Sequence, residues 1–545
     1  MEDIIYKFAL QNAIKFKGKA NPGAVIGKVI SEDPKSRGKE LAMKVQEIVK
    51  KVNSMKVEEQ LEKLKEIAPE LLEKKEHKEK DTFAFFEIKP EDKIVTGFPP
   101  GPEKYPHIGH AKALLGNYEL AKRYKGRFVL RFEDTNPNLV KKEFYEIMIE
   151  NFKWLGVKWD KLDYASDHME EFYKMCEDMI KKGEFYACTC KQDDMRDKRF
   201  KGETCECRKN SAKKSLEMFK EMPKKKEGTC VIRFKSDMKH KNTTMRDPIM
   251  FRIIKEKHAR HGDKYKVWPS YDFQNAFMDG LEGITHRLRS KEFELRSELQ
   301  RHLQKIFGFP QTNTYEFARF ELEGVETSGR KIREKIQNKE LLGWDDPSLA
   351  TLVALRKRGF KPEAIKEFVL STGFNKSEST LTWDDLIIHN RRLLDKEAKR
   401  FFMITNNKTI KIKNAPKMEI KVPIHPDNPK MGYRKFKTKD EFYIDDELKT
   451  GQVYRLMHLF NFKDKEFLSK EHDAKLKAKI IDWLPVEKDL VKVEILMPDR
   501  SVIKGLAEKT VEKLEVGEVC QFERKFFARL DEKEKTKLKF WFTHK

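Results

Sequence analysis

Three patterns of apolar and polar positions follow one another along the chain. In residues 1–85, leucines and isoleucines recur three and four positions apart, which predicts helices with a surface of lysine and glutamate. From residue 86 to about residue 345, short apolar runs alternate with helical patterns, as in α/β folds. After a helical stretch at 362–395, short segments of period two begin near Thr409, and they predict β-barrels.

One strand, turn, helix and strand in the central region carries the strongest chemical signal. The apolar pair Ile94 and Val95 enters a turn of glycines and prolines, and a helix is expected to begin near His107. His107 and His110 then share one face of the first helical turn, where free N–H groups and the positive dipole end favour an anion. The apolar strand at 126–134 ends in two carboxylates, so the unit is predicted to be a nucleotide-binding half. From spacing alone, a capping role explains the two histidines equally well.

Composition and charge narrow the class of protein. A chain of 545 residues is long enough for about three to five domains. Hydrophobic residues make up 39% and charged residues 37%, with a mean hydropathy of −0.74. The net charge of +24 favours a polyanionic partner, although a surface of many lysines also follows from composition alone. No charged start leads into an apolar run and no stretch of about 20 apolar residues occurs, so no membrane partner is expected and the predicted location is cytoplasmic.

Four of the seven cysteines lie in one short window. They form two C-x-C pairs, Cys188 with Cys190 and Cys205 with Cys207, with 14 residues between the pairs. Four thiolates fill the tetrahedral coordination of Zn²⁺ and leave no open position, which is typical of a structural zinc. Chance clustering is the alternative, since C-x-C is less common than C-x-x-C in zinc knuckles. The other three cysteines are expected to be packing residues: Cys176, Cys230 and Cys520.

Two motifs resemble those of a known enzyme family. Residues 106–110, PHIGH, resemble the HIGH signature of class I aminoacyl-tRNA synthetases. Residues 131–137, RFEDTNP, are similar to the RFEDTxP segment of the glutamyl and glutaminyl branch. The resemblance implies a Rossmann-type catalytic core that uses ATP and Mg²⁺ to activate an amino acid for transfer to tRNA. The residues that it places at ATP in this region are His107, His110, Pro99 and Gly109.

Two further segments resemble the amino-acid site of that branch. Residues 269–275 and 279–292 are similar to its P-x-Y-D-F and D-x-x-x-G-I-T-H-x-x-R segments. In the glutamyl enzymes the arginine that matches Arg289 pairs the side-chain carboxylate of the substrate, and a guanidinium fork suits a carboxylate. The resemblance places Glu133 at the substrate ammonium and Tyr271, Asn275 and Arg289 at the side-chain end. From the residues alone, Arg289 is better explained, with Arg287 and Lys291, as basic surface.

The second signature of the family, the KMSKS loop, is matched only loosely by residues 323–336. Arg330 and Lys331 supply cations there, and the departing pyrophosphate needs a mobile cation. Lys331 is the preferred catalytic and ATP-binding candidate, and Arg330 is the alternative. The following residues 343–352, GWDDPSLATL, closely resemble the segment that follows this loop in archaeal glutamyl and in glutaminyl enzymes, which supports the position of the loop.

Three more regions resemble archaeal glutamyl enzymes: residues 18–29 of the N-terminal extension, the cysteine pairs, and the β-rich end. The predicted fold is therefore an α/β multidomain one, with a charge run at Lys74 to Lys80 as a linker. Its predicted parts are an N-terminal helical extension (1–85), the first half of a Rossmann-type catalytic domain (86–187), a zinc knuckle in an acceptor-end insertion (188–230), the second catalytic half (231–330), a helical stem-contact region (331–400) and a β-barrel anticodon-binding region (401–545).

The resemblance implies ligation of L-glutamate to tRNA(Glu), with tRNA(Gln) open as a second acceptor and a monomer favoured. Two alternatives remain: a glutaminyl enzyme with an altered pocket, and a paralogue that binds tRNA with weak catalysis. Gly97 and Gly101 favour the latter, because the family has an arginine at the first position that contacts the substrate carboxylate in glutamyl enzymes. Losing one charge-assisted contact costs ~1.5–3 kcal/mol, so Gly97→Arg is expected to raise activity.

Overall fold

The computed structural model describes residues 2–16, 18–32, 38–71, 82–89, 91–406 and 408–545. The chain forms two compact units, Met1–Thr82 and Phe83–Lys545. The charge run predicted as a linker, Lys74 to Lys80, lies outside the described residues. Among the residues that are described, no helix is long and apolar enough to cross a membrane.

The first unit is helical, as the spacing of its apolar residues predicts. Its buried side chains, among them Ile5, Leu10, Val45 and Leu64, form one core. The amide of Gln60 lies in this core and donates to three backbone carbonyls, which satisfies its buried N–H groups. The helices are α1 (Glu2–Lys15), α2 (Pro22–Glu32), α3 (Lys39–Asn53) and α4 (Val57–Ile67).

The second unit begins with a parallel sheet whose strands alternate with helices. Strand β2 pairs in parallel with β1 on one side and with β3 on the other. The elements, in chain order, are β1 (Val95–Phe98), α5 (Ile108–Arg123), β2 (Arg127–Phe132), α6 (Lys142–Trp154), β3 (Lys161–Tyr164) and α7 (Met169–Lys181).

An insertion with an antiparallel sheet of four strands follows. Its elements are β4 (Phe185–Cys188), α8 (Gln192–Lys201), α9 (Ala212–Glu221), β5 (Val231–Phe234), β6 (Ile249–Ile253) and β7 (Val267–Pro269). The strand order in this sheet is β4-β5-β6-β7. Cys176 and Cys230 are buried in the core beneath it, as expected of packing residues.

The chain then returns to the first sheet. The elements are α10 (Tyr271–Glu282), β8 (His286–Ser290), α11 (Glu294–Phe307) and β9 (Asn313–Phe317). Gly283 ends α10 with a φ of 67°, a left-handed conformation that glycine adopts without strain, and so lets β8 start directly. Strands β8 and β9 are parallel, and Thr285 N donates to Val95 O at 2.9 Å where they adjoin β1. The spatial order β3-β2-β1-β8-β9 is that of a Rossmann-type fold, which confirms the predicted fold class.

The next region is mostly helical. Its elements are β10 (Phe320–Leu322), α12 (Gly329–Gln337), α13 (Leu352–Lys357), α14 (Pro362–Ser371), β11 (Ser379–Leu381) and α15 (Trp383–Glu397). Apolar side chains of α14, including Ile365 and Phe368, share a core with Leu114 of α5 and Phe128 of β2. This region therefore packs directly against the nucleotide-binding half.

The carboxyl end is built of short strands with two separate cores, as the period-two pattern predicts. The strands are β12 (Lys399–Phe401), β13 (Met403–Ile404), β14 (Lys408–Lys411), β15 (Met418–Pro423), β16 (Tyr433–Thr438), β17 (Glu441–Ile444), β18 (Val453–Leu456), β19 (Asn461–Lys463), β20 (Glu466–Ser469), β21 (Lys479–Ile481), β22 (Leu484–Pro485), β23 (Val491–Leu496), β24 (Val502–Ala507), β25 (Val519–Phe522), β26 (Phe526–Lys533) and β27 (Lys537–His544). One sheet of seven strands has β12 and β13 as its two ends. Because these two strands are consecutive in the chain, the sheet closes on itself.

Candidate active site and cysteine cluster

The two histidines lie at the start of α5 and hold each other in place. His107 is the N-cap residue, and its Nδ1 accepts a hydrogen bond from Gly109 N at 3.1 Å. The backbone N–H of His107 donates to Nδ1 of His110 at 3.2 Å. Since Nδ1 is the acceptor in both rings, the proton of each neutral ring is on Nε2, which remains as a donor.

The free helical N–H groups expected from the sequence are already occupied. Ile108 N donates to Ala350 O at 3.0 Å, Gly109 N to the ring of His107, and the next two amides to His107 O. Leu352 N in turn donates to Pro106 O at 2.8 Å, so two backbone hydrogen bonds join the segment after α12 to the turn that carries the histidines. The backbone of this helix therefore has no N–H group free for an anion in its first turn, and the remaining donors there are the imidazole Nε2–H groups.

Both imidazoles are neutral at pH 7. Burial, reinforced by Lys104 and Arg319, lowers the pKa of His107 to about 3. Burial and the neighbouring His107 likewise move the pKa of His110 well below its usual value, and the same two cations contribute. Neutral rings with Nε2–H donors bind phosphate oxygens by hydrogen bonding without titrating near pH 7.

A set of cations that the sequence analysis did not identify surrounds the histidines. Lys104 lies three residues before His107, and burial, Arg319 and Arg333 together lower its pKa. A Cβ built on Gly329, the first residue of α12, would lie 2.9 Å from Cδ of Lys104, so the second signature segment adjoins the first. Lys104 could have been identified from the sequence, because it lies in the glycine and proline turn just before His107. Arg319 could not, because it reaches the histidines from a distant segment of the chain.

The two predicted loop cations lie on the exposed first turn of α12. Arg330 is exposed, and the side chain of Lys331 is 67% exposed with its Nζ 3.7 Å from Glu326 Oε2. Ser328 caps this helix by accepting from Lys331 N at 3.5 Å. Arg330 and Lys331 are therefore free to reorient, but they are not in direct contact with the histidines.

Glu133 lies at the carboxyl end of β2 and is held from two sides. Asn275 Nδ2 donates to its Oε1 at 2.7 Å, and Arg131 Nη2 lies 3.2 Å from the same oxygen. Burial raises the pKa of Glu133, and these two partners oppose the shift. Arg131 also pairs with Asp279 at 3.0 Å and with Glu282, so three carboxylates share one buried guanidinium.

Arg289 on β8 faces a pocket of neutral groups. Its Nη2 donates to Tyr271 OH and its Nη1 to Gln300 Oε1, each at 2.6 Å, and its guanidinium lies 4.6 Å from the ring centre of Phe293. Within the described part of the chain, no carboxylate lies within ion-pairing distance of Arg289, and its Nε has no hydrogen-bond partner. The described residues therefore leave the charge of this buried arginine without a neutralising carboxylate.

The four predicted thiols come together as a cysteine cluster, Cys188, Cys190, Cys205 and Cys207. All four Sγ atoms lie within 4.8 Å of one another, with 4.0 Å between Cys188 and Cys205 and 3.8 Å between Cys190 and Cys207. Tetrahedral zinc with bonds of about 2.3 Å requires sulfurs about 3.8 Å apart, so the donor set fits that ion. Hydrogen bonding from Cys188 lowers the pKa of the Cys205 thiol below its usual value.

Surrounding groups hold the cysteine cluster in position. Tyr186 OH lies 3.6 Å from Cys205 Sγ and donates to Asp247 at 2.8 Å. Asp247 in turn accepts from Arg208 at 2.6 Å, which fixes the turn that carries Cys205 and Cys207. These contacts therefore fix the positions of the thiols.

Comparison with known proteins gives consistent matches. The family model "tRNA synthetases class I (E and Q), catalytic domain" matches residues 93–396, and two models of the anti-codon binding domain of the same synthetases match residues 398–481 and 466–531. The chain is 40% identical to a glutamate–tRNA ligase of Pyrococcus furiosus over 100% of both proteins. It is also 40% identical to one of Methanocaldococcus jannaschii over 98% of each, and 37% identical to one of Methanothermobacter thermautotrophicus over 97% of each.

Proposed function

Since the chain belongs to the glutamate and glutamine branch of the class I tRNA synthetases, we propose that it ligates L-glutamate to tRNA(Glu) in two steps at the site around His107 and Arg289. Glutamate first attacks ATP to give glutamyl-adenylate and pyrophosphate, and the glutamyl group then passes to the terminal ribose of the tRNA. The observation that carries the choice of amino acid is Arg289, whose buried charge has no acidic partner among the described residues.

The chain would promote the first step by positioning and by charge stabilisation. The Nε2–H groups of His107 and His110 donate to phosphate oxygens as negative charge moves onto the leaving pyrophosphate. Lys104 and Arg319 already lie near these rings, and Arg330 and Lys331 can swing in from the start of α12. Magnesium arrives with ATP, whose phosphates supply most of its ligands.

The nucleotide itself would lie along the turn between β1 and α5. Pro99 follows the end of β1 and is partly exposed there. Gly109 is partly exposed as well, and a Cβ at this position would lie 2.9 Å from the ring of His107. A side chain larger than hydrogen would therefore displace the histidine that the phosphates need.

The amino acid would be held at both ends by groups of fixed position. Glu133 binds the ammonium and is oriented for this by Asn275. Arg289 binds the side-chain carboxylate, with Tyr271 as its neighbour. Glutamine would leave the Arg289 charge unpaired and would present amide N–H groups to a donor, which disfavours it.

The cysteine cluster would hold one structural zinc ion. Its four thiols fit tetrahedral coordination and leave no position for substrate, so the ion would stabilise the insertion rather than take part in the reaction. The tRNA would be bound through phosphate contacts across the basic surface, with the β-rich end at the anticodon. Whether tRNA(Gln) is also charged depends on contacts of that end with the anticodon.

The proposal is tested by glutamate-dependent exchange between ATP and pyrophosphate, measured with and without unfractionated tRNA, and by charging of tRNA with labelled glutamate. Glutamine serves as the competing substrate. Exchange and charging with glutamate alone are the expected result. Preferential use of glutamine would identify a glutaminyl enzyme, and tight tRNA binding without exchange for either amino acid would identify a tRNA-binding paralogue; both outcomes contradict the proposal.

A further inference from the structure

Arg287 is a buried arginine whose guanidinium is only partly satisfied. It lies on β8 with 2% of its surface exposed, and its Nη2 is 2.5 Å from Asp279 Oδ1. Asp279 also forms an ion pair with Arg131, so its charge is balanced without Arg287. The Nε and Nη1 atoms of Arg287 are buried and have no hydrogen-bond partner in the described protein. Several other buried arginines also have an unpaired Nε, but among the described residues only Arg287 has a buried Nη atom without an acceptor, and such a donor is costly unless a ligand supplies the acceptor.

The guanidinium of Arg287 lies over Gly97 on the neighbouring strand. A Cβ built on Gly97 would lie 3.7 Å from Nη2 of Arg287, and 3.2 Å from both Val129 O and Ile284 Cδ1. The φ angle of Gly97 is not in the left-handed region, so its backbone does not require glycine. The absence of a side chain at Gly97 therefore leaves a space, and part of this space lies next to the Arg287 guanidinium.

Arg287 points to the same side of the sheet as the residues proposed to bind glutamate. Residues two apart on a strand share a face, so Arg287 and Arg289 project together from β8. Arg287 is also linked through Asp279 and Arg131 to Glu133. Arg131 has three carboxylate partners and lacks an acceptor only at Nε, whereas Arg287 also lacks one at Nη1 and Arg289 has no carboxylate partner among the described residues. Arg287 and Arg289 are thus two cations on the same face of β8, close enough for Arg289 to act on the charge of Arg287.

We propose that Arg287 is a second residue that binds the side-chain carboxylate of glutamate, beside Arg289, and that Gly97 provides the space in which it does so. This inference rests on the proposed function and adds a specificity-determining residue to it. Two guanidinium groups at one carboxylate discriminate further against an amide, because the amide nitrogen has no lone pair for either of them. It also reverses the expectation that Gly97→Arg raises activity, since a guanidinium at position 97 would bring a like charge next to Arg287.

The first test replaces Arg287 by methionine, which keeps much of the volume. We expect the KM for glutamate to rise about 10- to 100-fold while the KM for ATP stays within about twofold, and the preference for glutamate over glutamine to narrow. Arg287→Lys keeps the charge, and its KM for glutamate is expected to lie between those of the wild type and Arg287→Met. The matched control is Arg358→Met, which removes a buried arginine that donates to the backbone of Pro347 and Thr543; it is expected to lower the Tm without changing the KM for glutamate.

An unchanged KM for glutamate in folded Arg287→Met, or an equal rise in Arg358→Met, would overturn the inference. If Arg287→Met does not fold, the same comparison is made with Arg287→Gln, which removes the charge but keeps a polar side chain, and an unchanged KM for glutamate there also overturns the inference. The wild-type charging assay separates this outcome from failure of the proposed function, because a chain that does not charge tRNA with glutamate fails before any variant is compared.

A double variant tests the relationship between the two strands. Gly97→Arg alone is expected to reduce kcat/KM for glutamate. The double variant, Gly97→Arg with Arg287→Met, is expected to have a higher kcat/KM for glutamate than either single variant, because only one guanidinium then occupies the space between the two strands. A double variant no better than Gly97→Arg alone would show that the two positions do not share a role.

Discussion

Asn275 donates a hydrogen bond to Glu133 over 2.7 Å, although 142 positions separate them in the chain. Glu133 directly follows strand β2 in the first catalytic half, and Asn275 lies in the first turns of α10 after the whole insertion. The proposed ammonium site is therefore formed only when both halves of the sheet are assembled. Its carboxylate is fixed before substrate arrives, which lowers the entropy that binding must overcome.

Asn275→Ala removes this contact and leaves Oε1 of Glu133 with Arg131 alone, at 3.2 Å. Loss of a hydrogen bond to a charged group costs ~1.5–3 kcal/mol, so we expect the KM for glutamate to rise about tenfold or more. The KM for ATP should not change. The measurement is steady-state tRNA charging over a range of glutamate concentrations, with the exposed Asn338→Ala as control. Equal KM values for the two variants would contradict the role of Asn275.

Replacing Arg289 should change the preferred amino acid more than the overall fold. Arg289→Gln retains a donor for Tyr271 but loses the charge, so kcat/KM for glutamate should fall about 10- to 150-fold while that for glutamine changes little. The ratio of kcat/KM for the two amino acids is the quantity to measure. Lys291→Gln on the same segment is exposed and serves as the control. A parallel loss for both amino acids would indicate damage to the pocket instead of lost carboxylate recognition.

The histidines should not titrate in the physiological range. Burial lowers the pKa of His107 to about 3, below the usual value near 6.5, so the unfolded chain binds more protons than the folded one between these values. Stability from this residue is therefore complete above about pH 6.5 and is lost progressively as the pH falls towards 3. NMR of the protein with labelled histidine should show Nε2–H neutral rings for His107 and His110 at pH 6–8.

The stability measurement has its own control. His107→Asn should make the Tm depend less steeply on pH between about 6.5 and 3, because one group that resists protonation is gone. His472→Asn has its substitution at an exposed residue and should leave that slope unchanged. A ring signal that titrates between pH 6 and 8 for His107 would refute the assignment.

The sequence was informative where local rules decide the structure. The turn before α5, the strand ending at Glu133 and the period-two strands all follow from turn residues and hydrophobic spacing, and the structure has them. Local rules could not predict that the amides at the start of α5 are already hydrogen-bonded, because the acceptor of Ile108 N is Ala350 O, about 240 positions away in the chain. Arg287 was treated as surface for the same reason, since only the three-dimensional arrangement places it over Gly97. Contacts between distant segments, which decide burial, cannot be deduced from spacing along one strand.

The cysteine cluster gives the last prediction, since its geometry fits zinc without involving the reaction. The purified protein should contain about one zinc ion per chain by native mass spectrometry, and a strong chelator should lower its Tm, because an ion bound only to the folded state stabilises that state. Cys205→Ser removes one of the four thiols, so this variant should lose the metal and become insensitive to the chelator. Cys230→Ala deletes a buried thiol outside the cluster and should keep both the zinc and the response. A metal-free wild type after growth with zinc, with a Tm that the chelator does not shift, would mean that the four thiols pack together without an ion.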